Sequence, residues 1–177
     1  MIHLLGINVA ADLLADLAIQ LAPVFHMACQ VRSERMDASF ARDRMRNQYY
    51  STAILQAMQP LREPGARLLA VTSLDLYVPV LTFVFGEAQL NGGCAVVSLH
   101  RLREEFYGLP ARQDLLRERL VKEAVHELGH TFGLRHCDDW RCVMTSSHAV
   151  TRLDVKSAEF CFLCGRAVAG ARAPAVA

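Results

Sequence analysis

The stretch HELGHTFGLRHCDDWRCVM, residues 126–144, holds three histidines, two cysteines, a glutamate and two aspartates within nineteen positions. It demands a helix followed by a sharp reversal. His126 and His130 are four residues apart, which sets two imidazoles on one helix face where both can bind one ion. Gly133 comes three residues later, and glycine tolerates the left-handed conformation that stops a helix and turns the chain. The turn brings His136 back to the same ion as a third ligand and leaves a fourth position for water. Glu127, beside the first ligand, can reach that water as general base. Imidazole ligands and a hydrolytic site suit zinc. A lone histidine pair on an amphipathic helix is more often packing or surface, but five specified residue types in eleven positions outweigh that reading.

Four cysteines remain nearby. Cys137 and Cys142 bracket DDWR, and Cys161 and Cys164 form the C-x-x-C of CFLC, followed by Gly165. Together they supply the four thiolates of a closed structural zinc site. A disulfide within the first pair is the competing reading. The N-terminus MIHLLGINVAADLLADL bears on it, because it lacks a basic region and carries Asp12 and Asp16 early, poor material for a signal peptide. A cytoplasmic location is therefore expected, and there clustered cysteines bind metal more often than they pair. Cys29 and Cys94 fall inside expected strands and read as small buried hydrophobes. The expected content is two zinc ions per chain, one catalytic and one structural, with the chain passing between them from His136 to Cys137.

The rest of the chain has an alternating α/β rhythm. Strands are expected at HLLGINV, VFHMACQV, ARLLAVT, LTFVF and CAVVSL, with GEAQLNGG as a turn. Helices are expected at AADLLADLAIQLAP, at YYSTAILQAMQ up to Pro60, and from Pro110 onward with the stripe Leu116, Leu120, Ala124 and Leu128. The charged segment SERMDASFARDRMRNQ has no clear period and reads as solvated and partly mobile. The Ala-rich tail AVAGARAPAVA reads as frayed. At 177 residues, 53% hydrophobic, the chain can bury one core. Residues 1–133 form an α/β part ending in the active-site helix, and residues 134–177 a small C-terminal part, in one compact domain. Strands alternating with helices imply a mostly parallel sheet. A net charge of +1 argues against a nucleic-acid partner, and the apolar runs are too short to span a membrane.

The pattern H-E-x-x-H-x-x-G-x-x-H is that of the metzincins, and Met144, eight residues after His136, fits their methionine turn. With the adjoining Cys137, the C-x-M of Cys142–Met144 and the distal C-x-x-C, the chain resembles the archaemetzincins. SLDLYVPVLTFVFGEAQLNGGCAVVSLHRLR and VKEAVHELGHTFGL are similar to that family's strand region and active-site helix. The resemblance implies a zinc metallopeptidase with a mixed sheet above a cleft and one antiparallel edge strand, LTFVFGEA, that pairs with extended peptide. It implies His126, His130 and His136 as catalytic zinc ligands, Glu127 as base, and the four cysteines as a second zinc site. Met144 would form a hydrophobic floor beneath the imidazoles.

Two other readings share parts of the pattern. A zinc-dependent endoribonuclease could show the same histidine spacing, although Glu127 and the four cysteines count against it. A non-catalytic zinc-stabilised binding module would have no need of Glu127. Glu87 is a candidate for holding a substrate amine in an aminopeptidase, while His148 and Tyr107 could approach the cleft but read as surface or packing residues. Substrate identity and oligomeric state are not legible.

Overall fold

Ile2–Ile7 (β1) is buried along nearly its whole length, the pattern of an interior strand covered on both faces. In the computed structural model, which describes residues 1–172, β1 lies within a five-stranded sheet. Ala11–Phe25 (α1) leads to Cys29–Val31 (β2). Arg42–Asp43 (β3) and Gln48–Tyr50 (β4) precede Ser51–Met58 (α2), then come Arg67–Thr72 (β5), Leu76–Tyr77 (β6), Gly86–Ala88 (β7) and Cys94–Ser98 (β8). The long helix Gln113–Thr131 (α3) is followed by Val150–Val155 (α4) and Phe162–Arg172 (α5). The main sheet has the order β2-β1-β5-β8-β7. Its pairs are parallel except for β7 against β8, so the expected antiparallel edge strand is present.

Successive strand residues serve opposite faces. Leu4, Leu69, Val71 and Val97 pack with Leu14, Leu17 and Leu21 of α1 and with Leu116, Leu120, Ala124 and Leu128 of α3. Leu5, Ile7, Leu68, Ala70 and Val96 pack on the other side with Ile54, Leu55 and Met58 of α2. The α3 stripe read from sequence is thus the one buried. Residues from 134 onward add no strand among those described, yet Leu134, Val143, Met144, Leu153 and Val168 join the first of these clusters.

Several expected boundaries move. The strand expected over 24–31 is only β2, because α1 continues through Pro23 to Phe25 and is capped by His26 at φ 46°. The helix expected from Pro110 starts at Gln113. LTFVF is not a strand. Val84 makes a single bridge to Leu76, and the edge strand is Gly86–Ala88, the last part of the LTFVFGEA that the resemblance implied and the start of the stretch otherwise expected to turn. The charged segment is ordered: β3 and β4 form a hairpin, and β4 pairs with β6. Arg46 donates to Leu81 O at 2.7 Å and Gln48 to Thr82 O at 2.9 Å, so this hairpin holds the wall segment that follows β6. Of the tail read as frayed, residues 167–172 are the last turns of α5, and 173–177 lie outside the described residues.

Arg119 fastens α3 to what surrounds it. Its buried guanidinium forks onto Asp154 at 2.7 Å through both Nε and Nη2, and Nη1 reaches Glu104 at 2.6 Å and Leu102 O at 2.9 Å. The Asp154 bonds, more than burial opposes, hold its pKa above the ordinary arginine value. Arg119→Met strands two carboxylates, so it should cost about 3 kcal/mol, the lower end for a broken buried pair because Asp154 keeps some exposure. Arg119→Lys keeps the charge but cannot fork, and urea unfolding should place it between the two.

Candidate metal centres

Helix α3 delivers two histidines, and its termination delivers the third. Gly133 has φ 88°; its N–H donates to His130 O at 2.9 Å and that of Leu134 to Gly129 O at 3.2 Å. This pairing is a Schellman cap with glycine at the left-handed position. The chain leaves α3 and returns His136, so the rings of His126, His130 and His136 lie 4.7–5.3 Å apart by centroid.

Each helical imidazole is oriented from behind. Nδ1–H of His126 donates to Val143 O at 2.8 Å, and that of His130 to Leu134 O at 2.7 Å. Their Nε2 atoms face each other at 3.1 Å. Burial, and next the field of Lys156, holds His126 well below the ordinary imidazole range, and burial also lowers His130 and His136. All three rings are therefore neutral, and two lone pairs converge on one point. A cation relieves that repulsion, and zinc–nitrogen bonds of about 2.0–2.1 Å set tetrahedral neighbours roughly 3.3 Å apart. The donor set fits zinc.

Glu127 lies directly beneath the edge strand. A Cβ on Gly86 would meet Glu127 Cγ at 2.6 Å and Val96 O at 2.7 Å, so only glycine lets the strand pass so close. Burial pushes the Glu127 carboxyl well above the usual carboxylate range; the charge of Glu123 adds to this and Lys156 opposes it. Lys156 is itself buried, 3.3 Å from Glu123 and donating to Thr145 O at 3.2 Å. At the two ends of β7, Ser98 N–H donates to Phe85 O and Gln89 N–H to Cys94 O. By antiparallel alternation, the backbone groups of Gly86 and Ala88 point away from β8 onto the open edge.

The four cysteines also converge. One sulfur from each of Cys137, Cys142, Cys161 and Cys164 lies within 4.8 Å of the others, and all four are free thiols. Cys137 and Cys161 sulfurs are 3.9 Å apart, far beyond a disulfide bond and close to the roughly 3.8 Å edge of a tetrahedral zinc–thiolate site. The Cys164 backbone N–H lowers the Cys161 thiol, whereas burial raises Cys142 and Cys164. This donor set fits zinc as well. The strap Cys142–Met144 serves both clusters: Cys142 contributes sulfur, Val143 O orients His126, and Met144 O accepts from Cys137 N–H at 3.0 Å.

The imidazoles open into a cleft of about 720 Å³ walled by Leu81–Ala88 and Leu90 above, and by Arg135, His136 and Ser146–His148 below. Residues 6–169 match the family model described as Peptidase family M54. The chain belongs to that family. It is 40% identical over 157 residues to the archaemetzincin of Methanocaldococcus jannaschii, covering 89% of this chain and 86% of the relative. With the Pyrococcus furiosus archaemetzincin it shares 46% identity over 130 residues, 72% of this chain and 68% of that one. The crystal structure of archaemetzincin from Methanopyrus kandleri superposes with a TM-score of 0.85 at 34% identity, covering 96% of this chain and 93% of that one. That from Archaeoglobus fulgidus gives 0.81 at 38%, covering 94% and 98%. The expected archaemetzincin resemblance, the fold it implied and the zinc metallopeptidase class are borne out.

Within this archaemetzincin framework His126, His130 and His136 join one cluster and Cys137, Cys142, Cys161 and Cys164 the other, Cys94 is buried as expected while Cys29 is only half-buried, and Glu127 and His148 line the cleft. Glu87 lines it too, but its carboxylate accepts from Ser51 Oγ and from Thr52 Oγ1 at 2.7 Å, which ties the edge strand to the start of α2. Tyr107 is outside the cleft, donating to Arg101 O at 2.9 Å. Sequence reasoning missed Lys156, Gly86 and Gly129. A Cβ on Gly129 would meet Met144 Sδ at 2.5 Å, so this glycine seats the buried methionine under α3. Gly129→Ala should destabilise the protein by about 1–3 kcal/mol through overpacking. Thermal melts of the double variant with Met144→Ala should show much of that increment removed, because the two changes share one space.

Proposed function

We propose that His126, His130 and His136 hold a catalytic zinc ion, that Cys137, Cys142, Cys161 and Cys164 hold a structural one, and that the chain hydrolyses peptide bonds at the first. The observation that carries this reading is the pair of imidazole nitrogens 3.1 Å apart in a cleft beneath an open sheet edge. Zinc held there supplies Lewis acidity toward a carbonyl and toward water. The remaining work falls to the chain itself. An extended peptide or protein segment adds to β7 through the outward backbone groups of Gly86 and Ala88, gripped without its side chains being read. Glu127, beneath Gly86, accepts a proton from the attacking water and delivers it to the leaving amine. Val143 O and Leu134 O hold two rings in the tautomer that leaves Nε2 free.

The cysteine site has a different task. Four thiolates leave no open position, so its ion holds the described C-terminal residues, 134–172, as a small part against the α/β part formed by 1–133. That role needs reduced thiols, which accords with a cytoplasmic setting. Membership of a peptidase family favours peptide over RNA as substrate, and it favours catalysis over a binding module. No described helix is long and apolar enough to cross a membrane.

Glu127→Ala should keep its zinc and lose activity by roughly two to four orders of magnitude. A peptide-library digest at matched zinc content reads this directly. Cleavage by the variant at the wild-type rate would remove Glu127 from the mechanism.

A further inference from the structure

The charged groups around the cleft are almost all committed to partners inside the protein. Of its three carboxylates, Glu123 is paired with Lys156, Glu87 is held by Ser51 and Thr52, and Glu127 is buried against Gly86. The arginines behind the upper wall are engaged as well. Arg46 donates to the carbonyls of Leu81 and Thr82, and Arg101 forks onto Asp75 at 2.7 and 2.8 Å while lying 4.3 Å over the Phe83 ring.

Arg135 is the exception. It lines the cleft, is exposed, and has no ion pair or hydrogen bond among the described residues. Its backbone is not free to drift. The Gly133 cap fixes the chain two residues before it, and the Cys137 N–H bond to Met144 O fixes it two residues after. Arg135 is therefore held next to His136 on the lower wall of the cleft, and its side chain is available to a peptide bound there. The facing wall is apolar, with Leu81, Phe83 and Phe85.

We infer that Arg135 is a specificity-determining residue that favours peptides carrying an acidic side chain close to the scissile bond. The inference rests on the peptidase reading of this cleft. A carboxylate opposite an uncommitted guanidinium accepts a charge-assisted, forked hydrogen bond, whereas a lysine there is repelled. Apolar walls confine the field of that charge to the groove. The partner is solvent-accessible, so the preference has the size of one exposed ion pair, about fivefold at its upper end. Added salt must weaken it.

The test scans Asp, Asn and Lys through each position around one cleavable core, at low and high salt, with wild type, Arg135→Gln and Arg44→Gln. Arg44 is also exposed but does not line the cleft. At one position near the cut, Asp should be favoured over Asn by about fivefold, through KM rather than kcat. The preference should vanish in Arg135→Gln and in high salt but survive in Arg44→Gln. In parallel, fluorescence anisotropy on zinc-loaded Glu127→Ala protein measures binding of the Asp and Asn peptides without turnover. Equal handling of Asp and Asn, or a preference that persists in Arg135→Gln, overturns the inference while leaving the peptidase reading intact. If no peptide is cut by wild type, the peptidase reading fails. The anisotropy arm then decides by itself whether Arg135 selects acidic peptides.

Discussion

Two neutral imidazoles with their Nε2 lone pairs 3.1 Å apart repel unless a cation lies between them, and much of this molecule is arranged to hold them so. The leucine stripe of α3 buries one side of the helix, which leaves its histidine-bearing side turned to the cleft. Two backbone carbonyls, from Val143 and Leu134, select the tautomer. Gly133 ends the helix where the chain must double back. Arg119, forked onto Asp154 and Glu104, keeps the helix from sliding against α4. In this account the repulsion is tolerated in the folded chain because zinc converts it into coordination.

The second cluster supports the first through shared backbone. His136 and Cys137 are consecutive, and Cys142, Val143 and Met144 divide their contacts between the two groups. Below them, the buried Lys156–Glu123 pair links α3 to the chain beyond the methionine, with Thr145 O as a further acceptor. Such a pair contributes little net stability, because desolvation offsets its attraction. Its value lies in geometry: neither partner can move without leaving a buried charge alone.

The histidine and cysteine clusters were legible because they obey local rules. Four-residue spacing on a helix, a glycine at a left-handed cap and a C-x-x-C turn need no knowledge of what packs where. The long helix and the parallel order of the sheet followed from periodicity for the same reason. The strands missed altogether were β3, β4 and β6, of two or three residues each, too short for an alternating pattern to register. Gly86 reads as a turn residue, yet it pairs in the edge strand, and glycine is required there because Glu127 occupies the space a side chain would need. Gly129 did offer a signal. A glycine inside a helix, between His126 and His130, costs about 1 kcal/mol and so points to a close approach. Lys156 and the uncommitted state of Arg135 depend on long-range neighbours and left no mark on the local sequence.

The central claim is that adjacent residues serve two different ions, and zinc release from His136→Ala and Cys137→Ser tests it most directly. Elemental analysis during graded chelation, with a thermal melt at each step, would follow both metal and fold. The account predicts about two zinc ions per wild-type chain. His136→Ala should lose one readily while its melt is nearly unchanged, because a two-histidine site binds weakly and the thiolate site remains closed. Cys137→Ser should lower the melting temperature first, since the part beyond Gly133 depends on the thiolate-bound ion. Identical release and melting curves for the two variants, or one zinc ion per wild-type chain, would contradict it.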